Sequence, residues 1–252
     1  MSEPLITLER VSKVYQVGEE NFTALNDVNL EVGKGAFMSF VGPSGSGKTT
    51  LLNLIGGLDN PTSGTVTVEG KPIHQLKDNE LINFRLQHIG FVFQAYNLIP
   101  VLSARENVEF IMLLQGQSKQ ERESRAKELL QAVGLEQQMH KRPSELSGGQ
   151  QQRVGIARAL MENPSVLLMD EPFGALDPIT RGSLHEELLN LNRELKKTIL
   201  IVTHDISEAF KLGDQIILMD NGKIIQSGSA DDFRDRPVNL MVKNFIQGQL
   251  ND

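Results

Sequence analysis

The stretch Gly42-Pro43-Ser44-Gly45-Ser46-Gly47-Lys48-Thr49-Thr50 decides the fold. An apolar run, Phe37-Met38-Ser39-Phe40-Val41, precedes it, and a helical pattern, Leu51-Leu52-Asn53-Leu54-Ile55, follows. Strand, glycine loop and helix in that order fit the phosphate-binding pattern G-x-x-x-x-G-K-[ST]. Its glycines let backbone N–H groups turn inward around phosphate oxygens, and the next helix points the positive end of its dipole at them. Gly42, Ser44, Gly45, Ser46, Gly47, Lys48, Thr49 and Thr50 are the expected nucleotide-contacting residues, with Lys48 reaching the β- and γ-phosphates and the Thr49 hydroxyl helping to hold Mg²⁺. An ordinary glycine turn is the alternative, but every fixed position matches in the required strand–loop–helix context.

Working outward, Val166-Leu167-Leu168-Met169 is a continuous apolar run, as a strand buried on both faces requires, and it stops at Asp170-Glu171. Asp170 is the expected acidic partner of Mg²⁺, and Glu171 is placed to polarise a water for attack on the γ-phosphate. An acidic pair at a strand end is common in isolation; the apolar run and the upstream loop favour hydrolysis. Asp177-Pro178 then predicts a helix start, with Leu184, Leu188, Leu191 and Leu195 in one stripe. A further buried strand, Thr198–Val202, ends at Thr203-His204-Asp205, and Gln215–Gly228 reads as a hairpin around Asp220-Asn221-Gly222.

Upstream, Leu5–Arg10 and Ala24–Val32 alternate like amphipathic strands, with Tyr15–Leu25 a hairpin or loop, so the opening is mostly antiparallel β. From about 95 to 160 the pattern is helical, and the short apolar strand Ile89–Phe93 before it runs into Gln94. The expectation is one domain, with a core of 1–94 and 161–252 and a helical insertion at about 95–160. The last residues read as a short surface helix or tail.

Composition narrows the class. The 252 residues are 39% hydrophobic and 23% charged, an ordinary globular balance. A net charge of −7 argues against a surface built for nucleic-acid phosphates, and the lack of cysteine excludes disulfides and thiolate metal sites. Met1–Leu5 is acidic and predicts no signal peptide, and no window approaches ~18 consecutive apolar residues, so a membrane role is expected to come through a partner. His74, His88, His140 and His185 form no spaced ligand set.

Leu146-Ser147-Gly148-Gly149-Gln150, followed by a helical pattern through Leu160, offers a second helix N-terminus suited to an anion. This stretch resembles the signature of ATP-binding-cassette ATPases, and the resemblance extends over essentially the whole chain. It implies an α/β fold: a P-loop NTPase core with a mostly parallel sheet, an N-terminal antiparallel β subdomain and an inserted helical subdomain. Tyr15 matches the aromatic that stacks on adenine, although a lone tyrosine is more often a packing residue. Gln94 matches the glutamine that senses Mg²⁺, water and the transmembrane partner. Ala175-Leu176-Asp177 matches the loop that communicates across the dimer, and His204 matches the histidine at the γ-phosphate, its alternative being a capped core histidine.

The same resemblance implies a head-to-tail dimer in which the loop of one copy and Ser147, Gly148, Gly149 and Gln150 of the other enclose each of two ATP molecules with Mg²⁺. In that assignment Glu171 is the general base, Lys48 and His204 stabilise γ-phosphate charge, Thr49, Gln94 and Asp170 serve the metal, and Asp177 lies near the nucleotide. The implied partners are integral membrane permease subunits, with a periplasmic or lipid-binding component and no nucleic acid, at the cytoplasmic face of the inner membrane. The apolar loop Tyr96–Leu102 suits a groove for a membrane-subunit helix, or packs inside the helical insertion.

For the cargo, Leu52–Gly64 looks like lipoprotein-release and macrolide-export ATPases. Glu171–Thr180 and Phe245–Gly248 are more similar to those of phospholipid-trafficking and osmoprotectant systems. The expectation is lipid or lipoprotein traffic, with a small-solute importer or a macrolide-type exporter as alternatives. The chain ends soon after the hairpin, so the extra β-domain of sugar importers is not expected. A soluble ATPase of DNA repair or translation is the alternative of another class; the single cassette and the acidic charge count against it. A nucleotide-binding module without turnover is the third, opposed by Glu171 and His204.

Overall fold

A computed structural model describes residues 3–250. Met1 and Ser2, the start of the segment read for a signal peptide, lie outside the described residues. Two compact units divide the chain, the first comprising residues 1–85 and 198–252, the second 86–197.

In chain order the first unit begins with β1 (Ile6–Val17) and β2 (Glu20–Val32), joined by a two-residue turn at Gly18-Glu19. Of the two alternatives for Tyr15–Leu25 the structure shows the hairpin, with Tyr15 within a strand, opposite Phe22. The sequence hides this because residues 20–23 are exposed on both faces and show no apolar alternation. Next come β3 (Phe37–Val41), α1 (Lys48–Ile55), β4 (Ser63–Val68), β5 (Lys71–Pro72) and α2 (Asp78–His88), within which the division falls. The second unit holds β6 (Ile89–Phe93), α3 (Ala104–Leu114), α4 (Lys119–Ala132), α5 (Gly148–Ala159), β7 (Val166–Asp170) and α6 (Pro178–Leu195). The chain then returns to the first unit with β8 (Thr198–Val202), α7 (Ile206–Leu212), β9 (Gln215–Asp220), β10 (Lys223–Gly228), α8 (Ala230–Asp235) and α9 (Leu240–Leu250).

In the first unit β2-β1-β4-β5 form an antiparallel sheet. β3 runs parallel to both β8 and β9, with every residue of β3 and β8 buried, and β10 closes on β9 through Asn221-Gly222, both at positive φ (46° and 73°). That pair of left-handed residues is what a tight two-residue hairpin needs. The final segment is the short helix of the two alternatives, and it is anchored rather than loose: Phe233, Val242 and Ile246 pack with Val41, Ile206, Ala209, Ile216 and Leu218 in one buried cluster. Its apolar spacing is short and its flanks polar, so the sequence shows the helices but not the cover they give β9.

In the second unit β6 and β7 pair in parallel, and α3, α4 and α5 pack on one another. Ser103, Ser118 and Ser147 start these three helices, each in a reciprocal capping box with Glu106, Glu121 and Gln150 respectively. Among the described residues no helix is long and apolar enough to cross a membrane.

Candidate functional site

In the first unit the candidate residues gather at the carboxyl ends of parallel strands, where α/β sheets bind ligands. Phe40 of β3 is in register with Val202 of β8, so Gly42 and His204, each two residues further on, leave adjacent strands at the same level. Gly42 has φ +144°, and a Cβ there would lie 2.1 Å from the Met219 carbonyl oxygen, so no larger residue fits. Gly47 (φ +99°) is the N-cap of α1 and has no side chain with which to cap it, leaving the positive helix end to a ligand. Lys48 is buried, and its ammonium donates to the carbonyl oxygens of Gly42 (2.8 Å) and Pro43 (2.9 Å) and to Ser46 Oγ (3.2 Å). This curls the cation against the loop it serves. Ser46 is buried, whereas Ser44, Gly45 and Thr49 are exposed and Thr50 is half-buried. His204 is exposed in the bend between β8 and α7, just before Asp205, which caps α7 by accepting from the N–H groups of Ser207 (2.8 Å) and Glu208 (3.2 Å).

Tyr15 is half-buried on β1 of the same unit. Its hydroxyl donates to Asp59 Oδ2 (2.8 Å), and burial together with that carboxylate raises the phenol above its ordinary range. Lys13 donates to Asp59 Oδ1 (2.6 Å). Burial alone pushes the Asp59 carboxyl up, but the hydrogen bonds from Lys13, Tyr15 and the Asn60 N–H outweigh it and hold it below the usual aspartate range. Sequence reasoning singles out neither Lys13 nor Asp59. The available signal was the i, i+2 spacing of Lys13 and Tyr15, which puts them on one face of a strand.

In the second unit Phe93 of β6 is in register with Asp170 of β7, so Gln94 and Glu171 are the next residues on neighbouring strands. Both side chains lie against Gly174: a Cβ there would be 3.1 Å from Gln94 Nε2 and 3.6 Å from Glu171 Oε2. Glu171 itself has φ +44°, a left-handed backbone that a non-glycine residue adopts at a cost of about 1 kcal/mol or more. Strain of this kind collects where a side chain must be aimed rather than merely packed. Asp170 and Glu171 are half-buried and Gln94 is exposed.

The signature segment lies elsewhere in the same unit. Ser147 caps α5, accepting from the Gln150 N–H (3.3 Å), while its own N–H donates to Gln150 Oε1 (3.0 Å), so both side chains are engaged in starting the helix. A Cβ on Gly148 would lie 2.8 Å from Tyr96 Oη, and one on Gly149 2.6 Å from Thr180 Cγ2. The signature is thus packed against the Tyr96 loop and the first turn of α6. Asp177 caps α6 by accepting from the N–H groups of Ile179 (3.1 Å) and Thr180 (3.0 Å), and the Thr180 side chain and these bonds hold its carboxyl below the usual range. The Tyr96–Leu102 loop is pinned from within. Arg158 donates to the carbonyls of Asn97 (2.7 Å) and Tyr96 (3.0 Å), and buried Asn107 bonds Ile99, Leu102 and Ser103. Val101 alone of its aliphatic side chains is largely exposed.

A phosphate loop, a strained carboxylate beside a strand-end aspartate, and a capped glycine signature define the class. The ABC transporter family profile matches residues 25–174, and the chain belongs to that family. It is 44% identical over 243 residues to the choline transport ATP-binding protein OpuBA of Bacillus subtilis, covering 96% of this chain and 62% of that one. It is 46% identical over 236 residues to the uncharacterised ABC transporter ATP-binding protein MJ0796 of Methanocaldococcus jannaschii, covering 92% of this chain and 100% of that one. The fold superposes on the dimeric structure of a post-hydrolysis state of the MJ0796 cassette bound to ADP and Pi. The TM-score is 0.81 at 45% identity, over 89% of this chain and 98% of that one. The chain spans 59 to 62% of the length of the choline and carnitine transport relatives it matches.

Proposed function

We propose that this chain is the ATP-hydrolysing subunit of a membrane transporter and works as a head-to-tail pair with two ATP molecules. The observation that carries hydrolysis, beyond nucleotide binding, is Glu171, held at φ +44° directly after the Asp170 strand end with its side chain beside Gln94 at Gly174. Glu171 takes a proton from the attacking water, Gln94 orients that water, and Lys48 and His204 stabilise charge on the γ-phosphate oxygens. Tyr15 lies under the base, and the loop Gly42–Thr50 with Ser147, Gly148, Gly149, Gln150 and Asp177 binds the nucleotide.

Among the described residues there is no group of three or more His, Cys, Asp or Glu able to hold a metal ion. The donor types assigned here, a hydroxyl (Thr49), a carboxylate (Asp170) and an amide oxygen (Gln94), are the hard oxygen ligands that Mg²⁺ takes, and these residues would hold it. When bound, Mg²⁺ would supply charge neutralisation at the β- and γ-phosphates.

Permease subunits hold the chain at the cytoplasmic face of the membrane, and ATP supports the closed pair by its greater affinity for that state. For the cargo, the 52–64 segment favours lipid or lipoprotein traffic, with a periplasmic or lipid-binding component. A second reading, a small solute, is favoured by the 44% identity to a choline transport protein. The test of the core reading is Glu171→Gln. It should bind ATP with near-parental affinity, accumulate closed dimer and lose about 10²- to 10⁴-fold in turnover; parental turnover would remove Glu171 from its role. Co-purification from detergent-solubilised membranes, with ATPase stimulation by choline or by lipid in the recovered complex, separates the two cargo readings.

A further inference from the structure

The ring assigned to the base is held by a closed set of side chains that nucleotide binding does not itself require. Tyr15 Oη donates to Asp59 Oδ2 (2.8 Å), and Lys13 Nζ donates to Asp59 Oδ1 (2.6 Å) and to the Asn60 carbonyl (2.7 Å). The same ammonium stands over the Tyr15 ring, 4.8 Å from its centroid. Asp59 lies just beyond the end of α1, the helix that follows the phosphate loop. The Lys13 side chain is only 12% exposed.

We propose that Lys13 and Asp59 are positioning residues for the nucleobase, fixing the Tyr15 ring to the helix that carries the phosphate loop. The inference rests on the reading of Tyr15 as the residue under the base. A stacking platform must be flat, oriented and at one distance from the phosphate cradle. A free tyrosine side chain loses rotamer freedom when a base stacks on it, and a ring already locked loses none. The ammonium occupies one face by cation–π attraction, which leaves a single face for the base. The bond to Asp59 registers the ring against the segment that leaves the C-terminal end of α1, so that base and triphosphate are recognised by one rigid piece. Lys13–Asp59 is a charged pair with a bonded third partner, more than a surface ion pair on its own usually contributes.

The experiment compares binding of ATP and of inorganic tripolyphosphate, which has no base, by calorimetry on the full chain with Mg²⁺ present. Asp59→Ala and Lys13→Met should each weaken ATP about three- to tenfold while leaving tripolyphosphate unchanged. Lys13→Arg should keep the parental preference. Equal weakening of both ligands, or unchanged ATP affinity, overturns the proposal, the former because it marks a purely structural role. Tyr15→Ala separates the two levels. If it abolishes the preference for ATP while Asp59→Ala and Lys13→Met do not, the positioning role alone fails. If it too preserves the preference, Tyr15 is not under the base and the underlying reading fails with it.

Discussion

Gly148→Ala is expected to destabilise the protein, and Tyr96→Phe is expected to reverse the effect. The new Cβ would lie 2.8 Å from Tyr96 Oη, 3.4 Å from Leu176 Cδ2 and 3.8 Å from Tyr96 Cζ. Only the first contact is prohibitive, and to reach ordinary van der Waals separation the phenol must retreat by about 0.6 Å or more. Its backbone cannot easily follow, because Arg158 holds the carbonyls of Tyr96 and Asn97. Overpacking of this kind costs about 1–3 kcal/mol. Opposing it, alanine in a helix is favoured over glycine by up to about 1 kcal/mol, less at the first helical position. The net expectation is about 1 kcal/mol of lost stability in the parent. With Tyr96→Phe the offending oxygen is gone, and Gly148→Ala becomes neutral or slightly stabilising. Urea unfolding of the four proteins in a double-mutant cycle should therefore give a coupling of about 1–2 kcal/mol. Additive effects within about 0.5 kcal/mol would refute the packing of the signature glycine against Tyr96.

Other substitutions probe neighbouring contacts. Gly42→Ala, with its Cβ against the Met219 carbonyl and φ at +144°, should cost about 3 kcal/mol or more, whereas Gly45→Ala, at φ +78° with nothing within 4 Å, should cost about 1 kcal/mol; equal losses in urea unfolding would contradict the close approach. Asn107→Ala removes four hydrogen bonds from a side chain that is 1% exposed and should cost about 2–4 kcal/mol, with faster proteolysis at 96–102 as the local readout. Burial raises the Glu109 carboxyl above its ordinary range, and the opposing pull of Arg105 and Arg122 does not offset this. An acid with a raised folded-state value contributes stability at low pH that is lost as pH rises through that value. As pH rises from about 4, the ordinary carboxylate range, the stability of the parent should thus fall relative to Glu109→Gln. The opposite trend would mean that the two arginines dominate.

The local chemistry of this protein was legible in the chain itself. A phosphate loop is built by consecutive residues, so Gly42–Thr50 could be read with its strand and helix from residue types and spacing alone. The same is true of the apolar run ending at Asp170-Glu171 and of Asp177 as a helix cap, because caps and buried parallel strands are set by local pattern. What the sequence could not supply was long-range register. That Gln94 and Glu171 meet at Gly174 follows from the pairing of β6 with β7, strands separated by more than seventy residues, and the left-handed backbone of Glu171 carries no signal in a non-glycine residue. The final helices became part of the core only through contacts with β9 and α7. The Lys13–Asp59–Tyr15 set was hidden for the same reason: Asp59 lies 44 residues from Tyr15, in a segment where an aspartate among turn residues needs no other explanation. Sequence determines which groups are present and how each short element is made; which distant side chains share one place depends on the packing of the whole chain.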